Sequence, residues 1–139
     1  MSVSTSSHEP FLSLDFIYAP SADVAAELAR LEETLGAPVE FAIERFGTRV
    51  AMVRLAEGPP HLVLAEHLEG ERPILVYRVS SLEAAVSELA ARGLDAGPEL
   101  GFPYGPIHAF TVPGTGHRLA IYEMTRPQAK EMLAGRRDF

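Results

Sequence analysis

The order of strands, helix stripes and turn residues in this chain occurs twice, and that repetition limits its fold more than any other feature. Phe11 to Tyr18 reads as a strand of apolar, β-branched and aromatic residues, stopped by Pro20. Ser21 is suited to cap a helix, and Val24, Leu28, Leu31 and Leu35 then recur at helical spacing as one apolar stripe. Gly36 stands where a left-handed C-terminal cap is expected. Pro38 restarts an extended run, Val39 to Arg45. Gly47 marks a hairpin turn into Thr48 to Leu55, and after Gly58-Pro59-Pro60 a short strand runs from His61 to Glu66.

The second half repeats this order. Ile74 to Val79 is a strand, and Ser80 with Glu83 has the form of a capping box. Leu82, Val86 and Leu89 form a helical stripe that ends at Gly93. A weaker strand covers residues 94–100 and is interrupted by Gly97-Pro98. Strands follow at Ile107 to Val112 and Arg118 to Met124, with a turn at residues 113–116. Laid over each other, Ile17-Tyr18 matches Val76-Tyr77, and the run Leu62 to Glu66 matches Leu119 to Glu123. The offset is about 59 residues in the first strand and about 57 in the last, a drift that turns and bulges absorb. The expected fold class is therefore α+β, with two tandem βαβββ modules forming a curved mixed sheet. Module one covers 11–68 and module two 73–125, together one domain over 11–126. Residues 1–10, rich in serine, are expected as a disordered lead. Residues 127–139 are expected as a short helix and polar tail, packed on the body or on a second subunit.

Composition removes several function classes. The formal net charge of -7 disfavours nucleic acid and anionic membrane surfaces as partners. The chain has no cysteine, which excludes disulfides, thiolate catalysis and zinc–thiolate sites and fits a cytoplasmic setting. No run approaches the roughly 20 apolar residues that span a bilayer. No G-x-S-x-G, Walker or G-x-G-x-x-G phrase is present, and Gly114-Thr115-Gly116 lies between two strands as a hairpin turn.

In such a module the helix covers one face of a twisted sheet and leaves the other face in need of a partner. Two modules side by side are expected to make a cup, with a small-molecule pocket lined by inward strand residues. The pattern resembles the vicinal oxygen chelate superfamily, which includes glyoxalase I, extradiol dioxygenases and bleomycin-resistance proteins. Its most specific piece is Gly105-Pro106 … Phe110 … Pro113 … Gly116-His117-Arg118-Leu119-Ala120-Ile121-Tyr122-Glu123. The family phrase there is similar to G-P … F-x-D-P-x-G-N-x-I-E-L-Y-E.

The resemblance implies a divalent metal held by side chains from four strands, with His or Gln on the first strand of each module and Glu or His on the last. Counted from the paired tyrosines, those places fall on Asp15, Ile74, Val63 and Ala120. Three of the four are apolar, so no metal and no cofactor are expected. Asp15 is a candidate hydrogen-bond acceptor in the cavity, or else it serves solvent or the neighbouring backbone. His61 is a candidate at the rim, or an exposed turn residue. His108 shares a face with Phe110, either as a ligand contact or proton carrier in the cavity or as a satisfied structural histidine. Ala120 and Tyr122 share the inward face, where Tyr122 offers an aromatic wall with a polar tip or packs in the core. Tyr104, in the loop Phe102-Pro103-Tyr104, is a candidate cover for the cup. Glu66 and Glu123, on the opposite strand face, are expected in solvent or at an interface, and Arg45, Arg49 and Arg54 are expected exposed on the hairpin. The expected function is a glyoxalase/bleomycin-resistance-like binding protein for a small organic ligand, working as a homodimer by resemblance. The alternative is a metal-dependent lyase, isomerase or dioxygenase that recruits Asp15, His61, His108 or Glu123.

Overall fold

Both helices form where the apolar stripes predict them. A computed structural model describes residues 11–45, 47–95 and 97–139; the expected lead at 1–10 lies outside the described residues. Helix α1 spans Val24–Leu35. Its cap is Asp23 and not Ser21, because Asp23 is the last extended residue and its carboxylate accepts from the Ala26 amide at 3.1 Å. Ser21 donates its hydroxyl to Glu27 at 2.7 Å instead. The helix ends at Gly36, whose φ of 60° is left-handed and whose amide reaches the Glu32 carbonyl at 3.0 Å. Helix α2 spans Leu82–Ala91 and starts one residue later than the capping-box reading, with Ser81 accepting from the Ala84 amide at 3.2 Å.

Each helix packs on its own set of four mixed strands within an eight-stranded sheet, and the two sets have the same topology. Module one holds β1 (Ser13–Pro20), β2 (Val39–Arg45), β3 (Thr48–Val53) and β4 (His61–Ala65), in the order β2-β3-β4-β1. Module two holds β5 (Ile74–Arg78), β6 (Glu99–Leu100), β7 (Ile107–Thr111) and β8 (Arg118–Tyr122), in the order β6-β7-β8-β5. In both, the first strand runs parallel to the last and the remaining neighbours are antiparallel. Strand β6 is far shorter than predicted. Pro98 offers no amide for a ladder, and Gly97 passes so near β7 that an added Cβ would stand 2.2 Å from the Ala109 carbonyl oxygen.

One sheet face of each module packs on its helix. In module one, Val24 and Leu28 of α1 meet Ala42, Ala51, Val53 and Leu64. In module two, Ala85 and Leu89 of α2 meet Val79, Phe110 and Ile121. Fully burying a leucine-sized side chain this way contributes about 1.5–3 kcal/mol, and substitution in either cluster strikes the module itself.

The described residues fall into two compact units, 16–74 with 128–139 and 11–15 with 75–127. Strand β1 thus gives Ser13–Asp15 to one unit and Phe16 onward to the other. The C-terminal segment follows module two in sequence but docks on module one. After helix α3 (Gln128–Leu133), the tail lies parallel to β2. The Gly135 amide donates to Glu40 at 2.7 Å, Arg136 accepts from the Ala42 amide at 2.8 Å, and the Asp138 amide donates to Ala42 at 2.7 Å. Phe139 joins the α1 cluster, and Arg137 pairs with Glu32 at 3.2 Å. No helix among the described residues is long and apolar enough to cross a membrane.

Candidate functional site

Strand alternation assigns each residue to the helix-packed face or the helix-free face. In module one the helix-free face carries Phe16, Tyr18, Phe41, Met52, Val63 and Ala65, all buried. In module two it carries Val76, Ile107, Ala120 and Tyr122, also buried. Tyr18 stands opposite Val63, and Val76 stands opposite Ala120. Two residues back along each strand lie Phe16 and Ile74. The residue equivalent to Ile74 is therefore Phe16 and not Asp15, since the match of Tyr18 to Tyr77 is off by one. Tyr77 turns the other way and stacks on Phe11, ring centroids 5.0 Å apart.

Asp15 nevertheless takes part in the main polar cluster of module two. One carboxylate oxygen accepts from the Ser13 hydroxyl at 2.5 Å, and the other accepts from the Tyr122 hydroxyl. Tyr122 is fully buried, and Phe102 meets it edge-on at 6.3 Å. Burial first, then the hydrogen bond and charge of Asp15, hold the Tyr122 hydroxyl well above the usual tyrosine pKa. A phenol so placed stays protonated and directs its proton at the carboxylate.

The predicted loop meets Tyr122 through Phe102. Phe102 and Tyr104 are buried and meet edge-to-face at 5.3 Å. Arg126 fastens the loop by donating to the carbonyls of Pro103 at 2.9 Å and Phe102 at 2.8 Å. Gly105 is required for a different reason than backbone freedom. A Cβ there would stand 2.0 Å from the Glu123 carbonyl oxygen.

Other sequence candidates fall elsewhere. His61 shares the helix-free face with Val63 and pairs with Phe16. His108 does share a face with Phe110, but it is the helix-packed one, because His108 stands opposite Ile121 and Phe110 packs in the α2 cluster. Its Nδ1 lies 3.2 Å from the Gly97 carbonyl. Glu66 and Glu123 are not left to solvent: Glu66 accepts from the Val24 amide at 3.0 Å and Glu123 from the Leu82 amide at 2.8 Å. Each carboxylate thus satisfies an orphan amide at the start of its own module's helix. On the hairpin, Arg49 and Arg54 pair with Glu44 and Glu40 at 3.6 and 3.5 Å.

Sequence reasoning missed a second cluster, in module one. The Tyr18 hydroxyl lies 3.1 Å from His67 Nε2, and His67 Nδ1 lies 3.4 Å from Thr48 Oγ1. His67 sits in a turn with no periodic signal, so nothing in the sequence marked it. Among the described residues no three His, Asp or Glu side chains come together in a way that would hold a metal ion.

No family model matches the chain, and no curated protein matches it in sequence. Solved structures do match its fold. Methylmalonyl-CoA epimerase from Mycobacterium tuberculosis superposes with a TM-score of 0.70 at 18% identity, covering 86% of this chain and 93% of the epimerase. Streptomyces coelicolor methylmalonyl-CoA epimerase (S115T), in complex with 2-nitronate-propionyl-CoA, gives 0.67 at 17% identity, covering 84% and 96%. A hypothetical protein from Bacillus halodurans gives 0.66 at 17%, covering 80% and 93%. With two βαβββ modules in tandem and these neighbours, the chain has the fold of the vicinal oxygen chelate superfamily.

Proposed function

We propose that this chain binds a small organic molecule on the helix-free faces of its sheets and does so without the divalent metal that its fold family implies. One observation carries the reading. The four places that the family resemblance gives to metal ligands hold Phe16, Val63, Ile74 and Ala120, which supply no donor atom and are buried. A divalent ion needs several convergent nitrogen or oxygen ligands, and this set does not fit one. The atypical set considered from sequence fits no better. Glu123 is bound to the start of α2 and His108 faces the helix side.

A largely apolar or aromatic ligand suits these faces, with Asp15 and Tyr122 as the polar contacts and Tyr104 beside them. The epimerase neighbours support a small organic ligand, since one of them carries a propionyl-CoA analogue. The resemblance also carries a homodimer, which light scattering in solution tests directly. The experiment for binding is a thermal screen of aromatic and acyl compounds on protein purified without chelator, paired with elemental analysis. The reading expects ligand-dependent stabilisation with substoichiometric metal. A stoichiometric ion whose removal lowers the unfolding temperature sinks it.

A further inference from the structure

Module one carries a buried tyrosine hydroxyl within hydrogen-bond reach of an imidazole, on a ring that belongs to its helix-free face. Tyr18 stands opposite Val63, and its hydroxyl reaches His67 Nε2 at 3.1 Å. The His67 ring meets the Tyr18 ring edge-on, with centroids 6.1 Å apart. The other ring nitrogen reaches Thr48 Oγ1, at the head of β3, at 3.4 Å. Each of the three groups is able both to donate and to accept. While His67 is neutral, one of its nitrogens accepts, and the Tyr18 proton has a place on Nε2. Once His67 is protonated, both nitrogens are donors. Nε2–H then points at the Tyr18 oxygen, and the phenolic proton must turn away from the imidazole.

We propose that Tyr18 is a second ligand-contact group and that the charge state of His67 sets whether its hydroxyl offers a lone pair or a proton. Module one then takes a ligand with an acceptor oxygen, a carbonyl or carboxylate, when His67 is protonated. This rests on the reading of the helix-free faces as the binding surface. Among the described residues, the groups within hydrogen-bond reach of the His67 ring are Tyr18 from β1 and Thr48 from β3. The carboxylate of its chain neighbour Glu66 is engaged at the Val24 amide. Burial holds the His67 pKa below the ordinary 6.5, so the change of polarity falls on the acid side of that value.

The test has a ligand-free arm and a probe arm. The full chain, labelled at tyrosine ring carbons and histidine nitrogens, is titrated by NMR from about pH 8 to about pH 5, the range where a histidine changes charge. The Tyr18 Cζ signal is expected to move with the midpoint of the His67 nitrogens, while that of Tyr122 stays still. In H67Q the Tyr18 movement is expected to vanish. A Tyr18 signal that ignores the His67 titration overturns the switch, and this wild-type result stands whether or not H67Q folds. In the second arm benzoate is the probe. Its affinity is expected to rise at least roughly threefold across the same midpoint, to be flat in H67Q, and to lose the rise in Y18F. A coupled Tyr18 signal with no benzoate bound at any pH overturns Tyr18 as a ligand contact while leaving the switch standing. Ligands found by the thermal screen that bind equally in Y18F at every pH do the same without touching the binding reading.

Discussion

The two modules share a frame and differ in what they place on it. Both bury one tyrosine on the helix-free face with its hydroxyl against a titratable partner. Module one uses Tyr18 on its first strand against His67, and module two uses Tyr122 on its last strand against Asp15. The positions are not related by the repeat, since Tyr18 corresponds to Val76 and Tyr122 to Ala65. The helix starts, by contrast, are related: Glu66 and Glu123 serve Val24 and Leu82 in the same way. Features that close a helix or pair a strand are thus kept in both copies, whereas polar atoms on the helix-free face are placed independently. This is the pattern expected when scaffold needs repeat and site needs do not.

Substitutions can break this comparison at several levels. The largest effect is expected for G105A in module two. The Cβ would meet backbone at 2.0 Å, so a loss of about 3 kcal/mol or more is expected in denaturant unfolding. G101A, with nothing within 4 Å of its Cβ, is the near-neutral control. Next comes D15A, which leaves the buried Tyr122 hydroxyl without its acceptor and is expected to cost about 1–3 kcal/mol; Asp15→Asn should recover most of it. Glu66→Ala and Glu123→Ala should each cost about 1 kcal/mol. Equal losses support the repeat-related role, and a neutral result at either site breaks it.

Smallest is the pH response. His67 binds its proton less readily when folded than when unfolded, so its contribution is present above 6.5 and fades as pH falls through the lower folded value. Acid unfolding of H67Q should lack that increment. The tyrosines act in the opposite direction. Their raised folded pKa values keep their contribution intact below about 10 and remove it above. Absorbance titration should show Tyr18 and Tyr122 ionising only as the chain unfolds.

Much of the frame was legible in the sequence because it rests on local chemistry. The helix stripes, the Gly36 cap and the strand order all follow from residues within a few positions of one another. The register of the first strands was not. The matched tyrosines Tyr18 and Tyr77 suggested one alignment, while pairing with β4 and β8 fixes another, one residue away. A one-residue slip exchanges the faces of a strand, and it placed Asp15 at the equivalent of Ile74. The caps held the correction, for Asp23 and Ser81 are spaced as Phe16 and Ile74 are. For His108 the sequence identified the companion, Phe110, but not which side the helix would cover. His67 and Thr48 meet through the tertiary fold, and no local pattern announces such a meeting.

The carboxylates at the two helix starts have an outcome beyond stability. The amino end of a helix, with its unpaired amides and partial positive charge, is where proteins often cradle phosphate or another anion. Here Glu66 and Glu123 fill both of those seats from within the chain. An incoming phosphate would have to evict a tethered carboxylate and tolerate its negative charge nearby, so a phosphorylated ligand would have to be steadied by groups other than the starts of α1 and α2.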